Sequence, residues 1–365
     1  MRYKILHIID SLGLGGAQTI IKGIFDNQQF NTNIYLYALR KNDINIEIQH
    51  SNINIHDSMA RFSFAPLKRL KAIIENEKIE ILHCHLFRSQ VFGFLLKKRY
   101  FPFIKLIFQE HGQVFGSEAN NKIEDQLFWL FLQLSKKKVN KFIAVSKATE
   151  TKLLGYAKIN SSKIVVLYNF VNFTKNDNEQ KKIPQKKGNT DFNIGYVGRL
   201  SKIKGCEFLI TALSYLNFKY KVLIAGDGNE KENLIKISEK NGVEMNISFL
   251  GYVVDVNTLY NEFDVLVVPS IHESFGISAI EAFFKKVPVI ASDIEGLNEI
   301  VIHKKNGLLF KAKNAKDLAD KITQIYTNDK QTQELISNAS ADVKKYSLDN
   351  YLEELSSLYN KITAN

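Results

Sequence analysis

Two doubly wound parallel α/β domains are the fold class this sequence predicts, and three observations predict it. Short apolar runs alternate with longer amphipathic stretches along almost the whole chain, the pattern of a parallel sheet covered by helices. Several runs, such as Val265-Leu266-Val267-Val268, are apolar throughout, as strands buried on both faces must be. The alternation breaks once, over the polar, lysine-rich stretch 172–191, the best linker in the chain. A length of 365 residues suffices for two ordinary domains with sizeable cores, here 1–170 and 171–350.

Tyr3 to Ile9 reads as the opening strand and Ala17 to Phe25 as a helix behind the turn Gly13-Leu14-Gly15-Gly16. That turn fails the G-x-G-x-x-G spacing, because position 18 is Gln, and no G-K-[ST] follows to make a P-loop. A phosphate contact at Gly15 and Gly16 and a mere tight turn are both open. Asn33 to Leu39 and Ile53 to His56 read as short strands, then Pro66 to Asn76 as a helix. Ile79 to Cys84, Ile104 to Gln109 and Lys141 to Val145 are further strands, with helices near Phe87–Lys98 and Asn121–Lys137. His83 and His85 alternate and so share one strand face. With no third ligand close to them, strand-end packing and acceptor contact are the favoured readings, and no metal is expected. His111 follows Gln109-Glu110 at a strand end, where sheets of this kind hold ligands; a structural histidine is the alternative.

The second half carries the sharper chemistry. Asn193 to Val197 is a strand running into Gly198-Arg199-Leu200, followed by Ser201-Lys202-Ile203-Lys204-Gly205. A guanidinium at Arg199 and an ammonium at Lys204 would neutralise a diphosphate leaving group without metal; the dull alternative is two surface cations. Val222 to Ala225 ends in Gly226-Asp227-Gly228, where Asp227 reads as a turn former. Phe249-Leu250-Gly251-Tyr252 is another strand end, able to frame a nucleobase with backbone groups. Next comes the strand Asp264 to Val268, closed by Pro269-Ser270, and then His272-Glu273-Ser274-Phe275-Gly276-Ile277-Ser278-Ala279-Ile280-Glu281. Small and apolar residues after Gly276 suit a helix, with Ser274 to Ile277 as its first turn. Such a turn offers free N–H groups and the positive dipole end to an anion. Helical side chains lean toward the N-terminus, so Glu281 would hang over that anion. Backbone-held phosphate flanked by two carboxylates suits a sugar nucleotide. Strand-helix alternation continues to Phe310, and the remainder is helical and amphipathic.

Composition narrows the class. Apolar and charged fractions of 45% and 24%, with only 5 prolines, are those of a globular protein. Cys84 and Cys206 lie in different halves without motif spacing, so reduced cytoplasmic thiols are favoured over a disulfide or zinc site. There is no Asp-x-Asp triplet for a metal-bound diphosphate and no apolar run of membrane-span length. Met1-Arg2-Tyr3-Lys4 leads straight into a strand rather than a signal peptide. Charge is uneven: residues 1–168 hold 24 Lys+Arg against 13 Asp+Glu, and 169–365 hold 25 against 25. Lys68-Arg69-Leu70-Lys71, the stretch around Lys97-Lys98-Arg99-Tyr100-Phe101, and Leu127 to Leu134 followed by Lys136-Lys137-Lys138 mix cations with apolar residues. Such a face suits the anionic inner leaflet, each cation contributing about 1 kcal/mol, or else simply solubilises the protein. No nucleic-acid motif accompanies the charge.

Taken together, these pieces resemble the GT-B glycosyltransferases of family 4, which are retaining, metal-independent and sugar-nucleotide-dependent. The resemblance rests on Gly15-Gly16-Ala17-Gln18, His111-Gly112, Ala144-Val145-Ser146-Lys147 and Tyr168-Asn169. It continues through Gly198-Arg199 … Lys204-Gly205, Gly226-Asp227-Gly228, the Glu273 … Glu281 pair and Asn306-Gly307-Leu308, covering nearly the whole chain. It implies two facing Rossmann-like domains, the first for the acceptor and the second for the donor, with the last helix, within 351–365, crossing back onto the first. By the same resemblance Glu281 binds the ribose hydroxyls and Glu273 the transferred sugar or its phosphate. Backbone groups of Ser274, Phe275, Gly276 and Ile277 hold the distal phosphate, beside the strand ends Gly198, Gly226, Gly251 and Tyr252. His111 contacts the donor sugar, Gly15 and Gly16 approach the diphosphate, and His85 and Gln18 face the acceptor. Two departures stand out: the hinge reads Tyr168-Asn169-Phe170-Val171-Asn172, and Glu295-Gly296 stands where paired glycines are frequent.

The expected activity is transfer of a hexose or N-acetylhexosamine, preferably from a UDP-sugar, to a lipid-linked or oligosaccharide acceptor in surface-polysaccharide synthesis. GDP-mannose is the alternative donor, and a non-catalytic, membrane-associated sugar-nucleotide-binding protein the alternative class. No cofactor or metal is expected, and the location expected is the cytoplasmic face of the inner membrane.

Overall fold

A computed structural model describes residues 3–13, 15–27, 33–43, 45–60, 63–112, 122–171, 191–253 and 255–364. The linker expected over 172–191 falls almost wholly outside them. The chain divides into two compact units, residues 1–172 with 348–365, and residues 173–347.

Seven strands of the first unit, in parallel, form one sheet in the order β3-β2-β1-β4-β5-β6-β7. They are β1 (Ile5–Ile9), β2 (Ile34–Ala38), β3 (Ile53–Ile55), β4 (Ile81–His85), β5 (Lys105–Glu110), β6 (Lys141–Ala144) and β7 (Ile164–Val166). The helices are α1 (Gly16–Asp26), α2 (Pro66–Glu77), α3 (Phe87–Arg99), α4 (Lys122–Ser135) and α5 (Lys147–Gly155). The sequence reading had passed over α5 and β7, although Ser146 caps α5 by accepting from the Thr149 N–H, a readable start signal. Strand order reverses between β1 and β4, and ligands bind beside the carboxyl ends of strands at such a switch point.

The second unit repeats the plan with six parallel strands in the order β10-β9-β8-β11-β12-β13. These are β8 (Phe192–Val197), β9 (Tyr220–Ala225), β10 (Ile247–Gly251), β11 (Val265–Val268), β12 (Val289–Ser292) and β13 (Leu308–Phe310). Between and after them run α6 (Cys206–Leu213), α7 (Lys231–Lys240), α8 (Val256–Leu259), α9 (Ile277–Phe284), α10 (Ala315–Thr327) and α11 (Asp329–Asp342). Here the switch point lies between β8 and β11.

The final helix, α12 (Leu348–Thr363), belongs to the first unit. Its Tyr351, Leu352, Leu355, Leu358, Tyr359 and Ile362 form one buried stripe packed with Ile5, Ile9, Ile81, Ile107 and Ile143. That spacing is the apolar face of an amphipathic helix, and each buried large side chain is worth roughly 1.5–3 kcal/mol. The opposite face of the same sheet is covered by α2, α3 and α4 through Leu70, Phe92, Leu96, Phe128 and Leu132.

Candidate functional site

At the β8/β11 switch point the second unit gathers its charges. β8 leaves the sheet through Gly198 and Arg199, whose guanidinium is solvent-exposed. A short 3-10 turn then carries Lys204 back, and its Nζ meets Glu273 Oε2 at 2.5 Å. The Ser270 hydroxyl donates to the same carboxylate oxygen at 3.2 Å. The Lys204 turn is docked on the loop after β11 by two backbone bonds, Ile271 N–H to Ile203 O at 2.8 Å and His272 N–H to Ile203 O at 3.2 Å. A cation and an anion 69 residues apart in sequence are thus fixed by main chain rather than by their own flexible stems.

The neighbouring strand ends are knit together as well. The Gly198 N–H donates to Ala225 O at 3.0 Å, and the Gly226 N–H to Gly251 O at 2.7 Å. Gly226 lies so close to Gly198 that a Cβ there would fall 1.8 Å from the Gly198 carbonyl oxygen. Tyr252, one residue past β10, is exposed at 54% and presents a free aromatic face on this rim.

The helix start differs from expectation. α9 begins at Ile277, and Gly276 precedes it at φ +89, a left-handed conformation that cannot continue a right-handed helix. Ser274 and Phe275 therefore lie in the turn before the helix, and the free N–H groups of the first turn start at Ile277. The Phe275 side chain is buried against Tyr346, ring centroids 5.7 Å apart, leaving only its backbone for a ligand. Gly296 closes the floor of this turn: a Cβ there would lie 2.3 Å from the Glu273 carbonyl oxygen. Half-buried Glu281, one turn into α9, accepts from the Tyr260 hydroxyl at 2.7 Å. Burial raises its carboxyl from the usual carboxylate range to about 7, with the tyrosine bond opposing. Nothing in the sequence marked Tyr260 as its partner.

In the first unit the corresponding edge is built from imidazoles. His83 and His85 stack at 4.3 Å between ring centroids, as strand alternation required. The expectation that no third ligand stands near them is corrected. β1 pairs with β4 in the register His7↔His83, and a ring nitrogen from each of His7, His83 and His85 lies within 4.8 Å of the others. Three such nitrogens could hold a metal, a grouping hidden in the sequence because β1 and β4 are distant along the chain. His7 Nδ1 and His85 Nε2 are 2.9 Å apart, and His85 Nδ1 and His111 Nε2 are 2.8 Å apart. His85 has no exposed surface, so it stands behind His111 rather than at a surface where an acceptor could touch it. The next residue, Leu86, is held at φ +72, ψ 159, a region nearly confined to glycine and costing about 1–3 kcal/mol. The Ser89 hydroxyl lies 2.5 Å from His85 O and 2.8 Å from Leu86 O, pinning this strained turn.

Gly15 and Gly16 begin α1 beside this edge, and the Gln18 amide donates to Ser11 O at 3.1 Å, tying the helix start to the end of β1. Two further groups escaped the sequence reading. Asp10, one residue past β1, bridges Arg40 and Arg88 at 3.0 Å each, and Glu110, at the end of β5, is buried beside His111 with the Gln90 amide donating at 2.9 Å. Burial lifts the Glu110 carboxyl to about 7.

Known proteins are similar to this chain over most of its length. Residues 32–175 match the family described as Glycosyltransferase Family 4, and residues 177–342 match Glycosyl transferases group 1. An uncharacterized glycosyltransferase of Methanocaldococcus jannaschii is 30% identical over 331 residues, covering 87% of each chain. The capsular polysaccharide biosynthesis glycosyltransferase CapM of Staphylococcus aureus is 30% identical over 231 residues, 60% of each chain. Among solved structures, Anabaena HepE, crystallised with UDP and glucose, superposes with a TM-score of 0.83 over 99% of this chain and 100% of its own, at 20% identity. That likeness shows the GT-B fold.

Proposed function

The chain belongs to the family 4, group 1 glycosyltransferases, and we propose that it is a retaining, metal-independent hexosyl- or N-acetylhexosaminyltransferase using a UDP-sugar. The observation that carries this reading is the Lys204–Glu273 pair fixed at the β8/β11 switch point, with Arg199 exposed beside it. A diphosphate leaving group develops charge as the glycosidic bond breaks, and preorganised cations stabilise that charge without reorganising. The Lys204 ammonium has three donors, so it serves a phosphate while Glu273 keeps it in place. Glu273 has further acceptor capacity for sugar hydroxyls, and ionised Glu281 accepts from a ribose diol. The N–H groups at the start of α9 receive the distal phosphate. UDP is preferred because a protein of the same fold, HepE, was crystallised with it.

The first unit presents the acceptor, with His111 and the Gly15-Gly16 turn serving the substrates. A lipid-linked glycan of a surface polysaccharide is the proposed acceptor, in line with the similarity to CapM. Attachment to an anionic inner-leaflet surface accompanies it. Ile123, Leu127, Leu130 and Leu134 are all exposed on α4, spaced as one helical face, and Lys136-Lys137-Lys138 follow at its end. No helix among the described residues is long and apolar enough to cross a membrane.

A radiolabel assay across UDP- and GDP-sugars tests the reading: one UDP-sugar is transferred or slowly hydrolysed without added metal. Absence of turnover with every donor, or a strict need for a divalent ion, would refute it.

A further inference from the structure

Four of the six histidines of the first unit form a chain. His111 Nε2 contacts His85 Nδ1 at 2.8 Å, and His85 Nε2 contacts His7 Nδ1 at 2.9 Å. His7 Nε2 lies 3.4 Å from the Tyr359 hydroxyl, which in turn lies 2.7 Å from His83 Nδ1. His7, His83 and His85 have no exposed surface and Tyr359 only 1%, so water does not interrupt the sequence of bonds. Of the four, His111 alone is partly exposed, and its Nδ1 is buried without a hydrogen-bond partner among the described residues.

A neutral imidazole carries one N–H and one bare nitrogen, and each contact needs one of each. If His111 donates from Nε2, then His85 accepts at Nδ1 and must itself carry its proton on Nε2. The same step repeats to His7, so His111, His85 and His7 are all Nε2-protonated. If the direction reverses, all three are Nδ1-protonated. No mixed arrangement of these three satisfies both ring-to-ring contacts, whereas the Tyr359 hydroxyl either donates to one ring or accepts from both and so leaves His83 outside the pattern. Burial, which favours the uncharged form, keeps the rings neutral: it pushes His7 and His111 down to about 3, and His83 and His85 well below the usual histidine value.

We propose that His7 and His85 are positioning residues that hold His111 in one tautomer shared by all three rings and so decide whether its unpartnered Nδ1 carries a lone pair or a proton. The chain reaches from the partly exposed end of β5 to the last helix, α12, and uses residues that never touch the ligand. The role given to His111 rests on the proposed transferase reading; the shared tautomer does not.

The test is nitrogen NMR of the ligand-free protein carrying 15N-histidine, where protonated and bare ring nitrogens resonate far apart. His7, His85 and His111 are expected to be neutral with the same nitrogen protonated in each. A mixed pattern, or a charged ring at neutral pH, overturns the proposal. His85→Phe keeps a packed ring but removes both nitrogens that link His7 to His111; it is expected to admit both tautomers at His111. An unchanged His111 signal in that variant overturns the role of His85. Turnover of the same variant is expected to fall about ten- to a hundredfold in kcat with KM nearly constant. If the shared pattern is seen but His111→Ala turns over normally, the transferase role of His111 falls while the chain stands. Tight binding of one equivalent of zinc would overturn the chain instead, since a metal needs the bare nitrogens of His7 and His85 that the hydrogen bond cannot leave bare together.

Discussion

The two units use one strand-and-helix plan but arm their switch points differently. In the second unit the groups are charged and reachable: Arg199 exposed, Lys204 and Glu273 paired, Glu281 half-buried. In the first, beside the already ion-paired Asp10–Arg40–Arg88 cluster, they are buried imidazoles bonded to one another, with His111 at the partly exposed end. Charges at a strand end need an anion or a counter-charge to justify them, so they act directly on a ligand. Buried neutral rings cost little to desolvate and act through orientation. The lesson is that one fold supports both strategies, electrostatic and geometric, in a single chain.

The comparison breaks most sharply at Lys204. Lys204→Ala removes the cation and leaves Glu273 unpaired, so transfer is expected to drop about 100- to 1,000-fold in kcat/KM, measured under donor-limited conditions. A loss below about threefold would show that the second unit does not work by charge stabilisation.

Acid should separate the units next. His7, His83, His85 and His111 have folded values depressed below 6.5, so the unfolded state binds more protons between about 6.5 and 3. Their contribution to stability is present above that window and is lost as pH falls through it, with Glu110 opposing by a single site. Glu281 runs the other way: its folded value is raised to about 7, so native protein holds the extra proton and stability falls as pH rises from about 4.5 to 7. Trp129, the only tryptophan, lies in the first unit. Urea titrations followed by its fluorescence should therefore lose midpoint on acidification faster than those followed by far-UV dichroism. Coincident midpoints at every pH would erase the distinction.

Gly226→Ala probes whether the second unit's rim needs its close backbone contacts. With a Cβ due 1.8 Å from the Gly198 oxygen, the strand ends must part, and a destabilisation of about 2–4 kcal/mol is expected, read as a lower Tm. Glu281→Gln is milder. UDP binding by calorimetry should weaken about tenfold. In the native protein, affinity should rise between pH 6 and 8 as Glu281 ionises, whereas the variant should be flat. Least of all, Leu127→Glu with Leu130→Glu should leave folding within about 0.5 kcal/mol yet abolish sedimentation with anionic liposomes; unaltered sedimentation would remove α4 from the membrane proposal.

Legibility followed the same divide. Arg199 could be picked out in sequence because it sits two residues past an apolar run that had to be a strand, Lys204 and Glu273 because they lie in the loops that follow such runs, and Glu281 because it lies inside the next helix. The doubly wound class followed from the same runs. His7 could not be found, because its closeness to His83 is a matter of β1–β4 register, fixed by the sheet rather than by spacing. Tyr260 and Tyr359 were invisible for a similar reason: among 15 tyrosines, only packing tells which hydroxyl meets a carboxylate or an imidazole. The α9 boundary differs because the expected first turn includes Ser274 to Gly276, while the positive φ of Gly276 breaks the backbone before a helix that starts at Ile277.

The return of α12 to the first unit fixes an order of events during synthesis. The core of residues 1–172 lacks Tyr351, Leu355 and Tyr359 until residues 348–363 have left the ribosome. At ~5–20 residues per second that wait lasts roughly 10–35 s, the time needed to synthesise the second unit. The nascent first unit would meanwhile expose the apolar groove destined for α12, which makes it the natural client of a holding chaperone.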